Sequence, residues 1–170
     1  MEISANFKKK LLFYFILSMS IVCLDQFLKK YAISKIGLGN FSPFIPGFVQ
    51  FNVVQNTGGA FSIFKEYPLV FTVIGLINVL ILSWLIFCPT VIFNDIIRTG
   101  CACIFGGTIG NVIDRFLDGG VIDFFDLQFV NFAIFNVADV FIDIGVVLVL
   151  IGWYFIEKSN RRVGEPASRQ

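Results

Sequence analysis

Residues 134–156 read IFNVADVFIDIGVVLVLIGWYFI, and the length of this run decides the fold. From Ile144 to Ile156 only about a dozen apolar residues follow one another, too few for the roughly 20 that cross a hydrocarbon core of about 30 Å. A spanning helix here must start earlier and carry Asp139 and Asp143 inside it. With a span from about Ile134 to Ile156, a rise of about 1.5 Å per residue places Asp139 roughly 25 Å above the Ile156 end. A carboxylate at such depth is costly to ionise and marks a site.

The surrounding composition supports a membrane chain. The 170 residues are 56% hydrophobic and include 22 Phe, with a mean hydropathy of +0.82, more than one soluble core hides. The stretch from Gly106 to Asp143 nevertheless holds Asp114, Asp118, Asp123, Asp126, Asp139 and Asp143, half of the 12 acidic residues. Histidine is absent, which excludes His-activated nucleophiles and His-ligated zinc and leaves carboxylates, Lys, Tyr or Cys for acid–base work. Cys23, Cys88, Cys101 and Cys103 form no CxxC pair and read as apolar packing residues. No metal, no cofactor and no nucleic-acid partner is expected, and the net charge of +1 points to no partner.

Three further spans are expected, over about 11–28, 69–88 and 97–114. The first follows Lys8, Lys9 and Lys10 and reads as an uncleaved helix, because no small-x-small cleavage site follows it. Near its end Asp25 and Lys29 stand i, i+4, the spacing of an interfacial ion pair. Residues 69–88 are uncharged throughout. In the third span Gly106 and Gly110 form a small-xxx-small face suited to close helix packing, and Asp114 lies roughly 24 Å above Arg98.

Between the first two spans, about 36–64, Gly, Pro and Asn break the apolar pattern around the β-prone run FVQFNVVQN. Irregular backbone cannot face lipid, so this segment is expected as a small strand-rich lobe on the membrane surface. Within it Asn56-Thr57-Gly58-Gly59-Ala60-Phe61 reads as a tight turn. Four spans put both termini on one side together with Lys8, Lys9, Lys10, Arg98, Lys158, Arg161, Arg162 and Arg169; Lys29, Lys30, Lys35, Lys65 and Arg115 fall on the other. The positive-inside rule makes the termini cytoplasmic and the acidic cluster extracytoplasmic. The expected fold is therefore an all-α integral membrane protein, one domain over 1–170, with four transmembrane helices, a small extracytoplasmic strand-rich lobe and a disordered tail over about 160–170.

Five blocks in this chain resemble those of the bacterial lipoprotein signal peptidase (signal peptidase II) family, in the family's order. They are Asp25-Gln26-x-x-Lys29, Asn56-Thr57-Gly58-Gly59-Ala60-Phe61, Asn111-Val112-Ile113-Asp114-Arg115, Val121-Ile122-Asp123-Phe124 and Phe135-Asn136-Val137-Ala138-Asp139. The resemblance implies a membrane aspartyl peptidase of the bacterial cytoplasmic membrane, folded as four helices with an extracytoplasmic β-cradle. Such an enzyme removes the signal peptide from diacylglyceryl-modified prolipoproteins just before the lipidated cysteine. It implies Asp123 and Asp139 as the catalytic pair, and Asn56, Asn111, Arg115, Asn136 and Ala138 as residues that bind substrate or orient the site. Asp25, Lys29, Gly58 and Asp114 are implied as supporting residues. The expected partners are the lipid-modified prolipoprotein and membrane lipids, and the expected state is a monomer.

Two carboxylates suffice for such chemistry when a water sits between them, one ionised to take its proton and one protonated to donate to the carbonyl oxygen. Which is which stays open in the sequence. So does the role of Asp114, which with Arg115 reads equally as a structural ion pair at a helix end, and of Asp143, which offers a rival pairing with Asp139 one turn away. Gly59 stands where the family more often has Ala. A proton-coupled transporter and a structural membrane subunit are the competing classes. The first predicts internal repeats and acids near the midplane, the second scattered acids.

Overall fold

The computed structural model of the protein describes residues 5–58, 68–88 and 93–164. Four long helices dominate: α1 Ala5–Lys35, α2 Pro68–Phe87, α3 Asp95–Leu117 and α4 Val137–Gly164. Each includes a stretch long and apolar enough to cross a membrane. Three short strands, β1 Phe41–Ile45, β2 Val49–Asn56 and β3 Val121–Leu127, form one antiparallel sheet in the order β1-β2-β3.

The bundle is built around α3. It is the span buried over most of its length, while α1, α2 and α4 keep broad apolar outer faces, the pattern for helices that turn one side to lipid. Its glycines set the packing distance. A Cβ on Gly106 would come 2.8 Å from the backbone oxygen of Ser18, and one on Gly110 would come 2.5 Å from a carboxylate oxygen of Asp25. The Gly106/Gly110 face is thus the groove into which α1 fits. At the far end of the bundle Arg98, on α3, donates to the carbonyls of Leu85, Ile86 and Cys88. It closes the C-terminal end of α2, whose last carbonyls have no intrahelical donor.

The helix limits differ from the sequence expectations in ways that shape the site. The fourth helix begins at Val137 rather than Ile134. Phe135 is drawn instead into a bridge with Phe125 of β3, with backbone hydrogen bonds of 2.8 and 3.1 Å. Asn136 then caps the helix: its Oδ1 accepts from the Asp139 N–H at 3.0 Å, and its own N–H donates to Asp139 Oδ2 at 3.1 Å. This reciprocal pair is a capping box with an aspartate in the third helical position. The helix also runs on to Gly164, past the expected start of the tail at about residue 160; residues 165–170 lie outside the described residues. Similarly α1 extends beyond 11–28 at both ends.

The lobe expected over 36–64 supplies β1 and β2 but only part of the sheet. The third strand, VIDFFDL, comes from the connection between α3 and α4. An irregularity in β2 between Phe51 and Val54 shifts the register so that Val54 stands opposite Asp123. The sheet rests on the ends of α1 and α4 through a small core of Ala32, Val53, Ile122, Phe124 and Val137.

Candidate active site

A cavity of about 430 Å³ opens where β3 meets the tops of α3 and α4. Asn56, Asn111, Arg115, Asp123, Asp139 and Asp143 line its polar side, and Phe132, Ile134, Phe135 and Ile142 are among the apolar residues facing them. The polar side is organised by three asparagines.

Asp123 is 3% exposed, and each of its carboxylate oxygens accepts an amide hydrogen. Asn136 Nδ2 donates to Oδ1 at 2.7 Å, and Asn56 Nδ2 donates to Oδ2 at 3.0 Å. The Asn56 amide cannot turn over, because its Oδ1 accepts the Gly58 N–H at 3.0 Å; this is what the described part of the Asn56 turn does. Gly59, Ala60 and Phe61 lie outside the described residues. Asp139 is held on α4 by the cap described above and by Asn111 Nδ2, which donates to its Oδ1 at 2.8 Å. Asn136 therefore touches both aspartates, one through its side chain and one through its backbone. The bridge at Phe135 brings them together, because it docks the start of α4 beside β3.

Electrostatics separates Asp123 from an ordinary surface acid. Burial, and second to it the Asp139 charge beside it, push its carboxyl up from 3.8 to about 7, against the Asn56 and Asn136 hydrogen bonds and the Lys29 ammonium. The site thus holds a carboxyl that gives up its proton only as the pH approaches neutral.

The supporting residues lie one layer below. Asp25, Lys29 and Asp114 are 0%, 2% and 2% exposed, and Lys29 Nζ bridges Asp25 at 2.8 Å and Asp114 at 2.7 Å. The interfacial Asp25–Lys29 pair expected at the end of a span is in fact at the centre of the bundle. It stays dry because α1 continues past it and α3 covers it at Gly110. Asp114 pairs with Lys29 and not with Arg115.

Arg115 stands on the cavity wall. Its Nη1 donates to the Asn111 carbonyl at 3.3 Å, its guanidinium lies 5.8 Å from the centre of the Phe71 ring, and its buried Nε has no hydrogen-bond partner among the described residues. Ala138 is fully buried and its Cβ faces α3 at Gly110, so its small size serves helix packing under the site. Asp143 is exposed on the cavity rim and makes no hydrogen bond or ion pair among the described residues. Of the other acids in the cluster, Asp118 caps the end of α3, and Asp126 accepts from Gln50 and Asn52 across the sheet.

The sequence assigns no role to Gln26 or to the apolar wall. Gln26 Nε2 donates to Asp114 Oδ1 at 2.6 Å and to the Gly110 carbonyl at 3.2 Å, a role its place beside Asp25 signals. Phe132, Ile134 and Phe135 come from a segment with no periodic pattern, and nothing local marks them as a wall.

Comparison with known proteins agrees with this geometry. The profile of signal peptidase (SPase) II, peptidase family A8, matches residues 17–155. A lipoprotein signal peptidase of Lactobacillus johnsonii is 36% identical over 153 residues, covering 90% of this chain and 99% of the relative. One of Streptococcus pyogenes serotype M1 is 42% identical over 147 residues, covering 85% and 93%. A solved bacterial membrane enzyme superposes with a TM-score of 0.77 at 29% identity, covering 92% of this chain and 94% of that one. With the paired aspartates, four spans and sheet in place, these matches assign the chain to the signal peptidase II family of membrane peptidases.

Proposed function

We propose that this peptidase cuts diacylglyceryl-modified prolipoproteins on the amino side of the lipidated cysteine, using Asp123 and Asp139 as its catalytic pair. The observation that carries the reading is the pair itself: two carboxylates on different elements, both held by Asn136, at one end of a membrane bundle and open to a single cavity. Relatives named lipoprotein signal peptidase supply the substrate class.

In this reading Asp123 carries the shared proton and Asp139 is ionised, the arrangement that the raised Asp123 carboxyl favours. A water between them attacks the scissile carbonyl carbon, giving one proton to Asp139 while Asp123 protonates the carbonyl oxygen. The resulting gem-diol collapses as Asp139 passes its proton to the departing nitrogen and a diol hydroxyl returns one to Asp123. The C–N bond breaks, leaving a carboxyl on the signal peptide and an amine on the lipidated cysteine. Both aspartates end as they began. Arg115, with a buried Nε left over, and Asn56 are placed to bind the substrate backbone. The rival pairing of Asp139 with Asp143 has no support in hydrogen bonding, since Asp143 is on the rim.

The enzyme acts as a monomer in the bacterial cytoplasmic membrane, with cytoplasmic termini and the cavity at the extracytoplasmic face. The positive charges on the terminal side support that orientation. The acyl chains stay in the bilayer while the peptide enters between the helices, where the apolar wall at Phe132 and Ile142 faces it. Cleavage of one precursor with and without its diacylglyceryl group, by the purified protein, tests this. The lipidated form is cut and the unlipidated form is cut far more slowly; equal rates contradict the reading.

A further inference from the structure

A lysine ammonium has three N–H donors, and Lys29 spends all three in the interior of the bundle: on Asp25 at 2.8 Å, on Asp114 at 2.7 Å and on Asn111 Oδ1 at 2.9 Å. A buried triad of this kind is weak support for stability in itself, because well-packed apolar side chains often do as well. What distinguishes it is where its remaining bonds go. Asp25 Oδ1 accepts the backbone N–H of Ala138 at 3.0 Å, the residue immediately before Asp139. Asp114 Oδ2 accepts the backbone N–H of Ile122 at 3.2 Å, the residue immediately before Asp123. Each acid of the triad thus holds the backbone that presents one aspartate of the pair.

The third arm reaches a side chain. Asn111 Oδ1 accepts from Lys29 at 2.9 Å and from Asn136 Nδ2 at 3.1 Å. Turning that amide over would place its NH2 against the ammonium, so Asn111 Nδ2 has one direction left, toward Asp139 Oδ1 at 2.8 Å. We infer that Asp25, Lys29 and Asp114 are positioning residues, a buried platform that fixes the separation of Asp123 and Asp139 and, through Asn111, the orientation of Asp139. The inference rests on the catalytic pair proposed above.

Removing Lys29 alone would strand two buried carboxylates and destabilise the fold strongly. The useful reference is therefore Asp25→Asn, whose amide oxygen can still accept from Ala138. In that background Lys29→Met matches the lysine stem, and Asp114 remains the sole charge of the triad, so its net charge equals that of the wild type. Lys29→Gln returns an N–H donor for Asn111. In the Asp25→Asn background the charged groups around the pair are Lys29 on α1, Asp114 and Arg115 on α3 and Asp143 on α4; the wild type adds Asp25 on α1, while α2, β1 and β2 carry none and Asp126 on β3 is turned to Gln50 and Asn52.

The experiment measures kcat, KM and the pH–rate profile for cleavage of a lipidated precursor, with folding checked by thermal melting in detergent. Against Asp25→Asn, the Met variant is expected to lose about 100-fold in kcat, the scale of an ångström-sized displacement of catalytic groups, with KM within about threefold. Its basic limb moves to higher pH, because the ammonium that favours ionised Asp123 is gone. The Gln variant recovers at least about tenfold in kcat. A folded Met variant with the kcat and profile of Asp25→Asn overturns the inference, as does a Gln variant no better than Met. Should the Met variant not fold, the Gln variant against Asp25→Asn decides: a moved basic limb supports the platform and an unmoved one overturns it. No cleavage by the wild type would instead remove the peptidase reading beneath it.

Discussion

Replacing Asp123 with asparagine isolates what its buried carboxyl does to the fold. The residue is 3% exposed, and its carboxyl is pushed from 3.8 up to about 7. It stands on β3, outside the four helices, so unfolding delivers it to water. Between those two values the folded chain holds a proton that the unfolded chain has released. The stabilisation is therefore fully present below pH 3.8 and is lost as the pH rises through 7. At 1.36 kcal/mol per pH unit the displacement amounts to at most about 4 kcal/mol. Asparagine does not titrate. The difference in unfolding free energy, Asp123→Asn minus wild type, should thus grow by up to about 4 kcal/mol between pH 4 and pH 8, whatever constant offset the amide brings. Unfolding by SDS in mixed micelles, followed by tryptophan fluorescence at several pH values, reads that difference. A difference that stays flat to within about 0.5 kcal/mol, or that shrinks with rising pH, would refute a proton-holding Asp123.

Two substitutions test the packing that holds the site. Gly110→Ala places a Cβ 2.5 Å from Asp25 Oδ2, an oxygen that Lys29 holds in place; it should cost about 2–3 kcal/mol and lower kcat, and wild-type melting and turnover would contradict this. Arg98→Met strips donors from the carbonyls of Leu85, Ile86 and Cys88 and should destabilise by about 2–3 kcal/mol. Arg98 is roughly 24 Å along α3 from Asp114, so cleavage by the folded variant should match wild type; a large fall in kcat would show that the far end of the bundle reaches the site.

Much of this architecture follows from local rules, and the rest does not for identifiable reasons. The spans are legible because hydrocarbon thickness imposes a length, and that same length forces Asp139 and Asp143 into the fourth helix. Where that helix starts is not legible, because Phe135 is claimed by a strand partner and Asn136 by a cap, both tertiary outcomes. The strand VIDFFDL is not legible as a strand: its partner β2 lies about 70 residues earlier, and its alternation is masked because four successive residues are buried. The i, i+4 spacing exposes Asp25 and Lys29 as a pair, but their third member, Asp114, is far away in sequence, so an interfacial pair is the natural reading of what is a buried triad. The small face of Gly110 can be recognised without knowing which helices fill it, so the contact that the Ala138 methyl group makes there is not legible.

The assignment of the catalytic pair is tested most directly by cleavage of a diacylglyceryl-modified prolipoprotein with wild type and with Asp123→Asn, Asp139→Asn and Asp143→Asn, each confirmed to be folded in the membrane. Two carboxylates sharing one proton predict that the first two variants lose at least about 1,000-fold in kcat while Asp143→Asn still cleaves. An Asp123→Asn variant that cleaves normally beside a dead Asp143→Asn would contradict the pairing of Asp123 with Asp139.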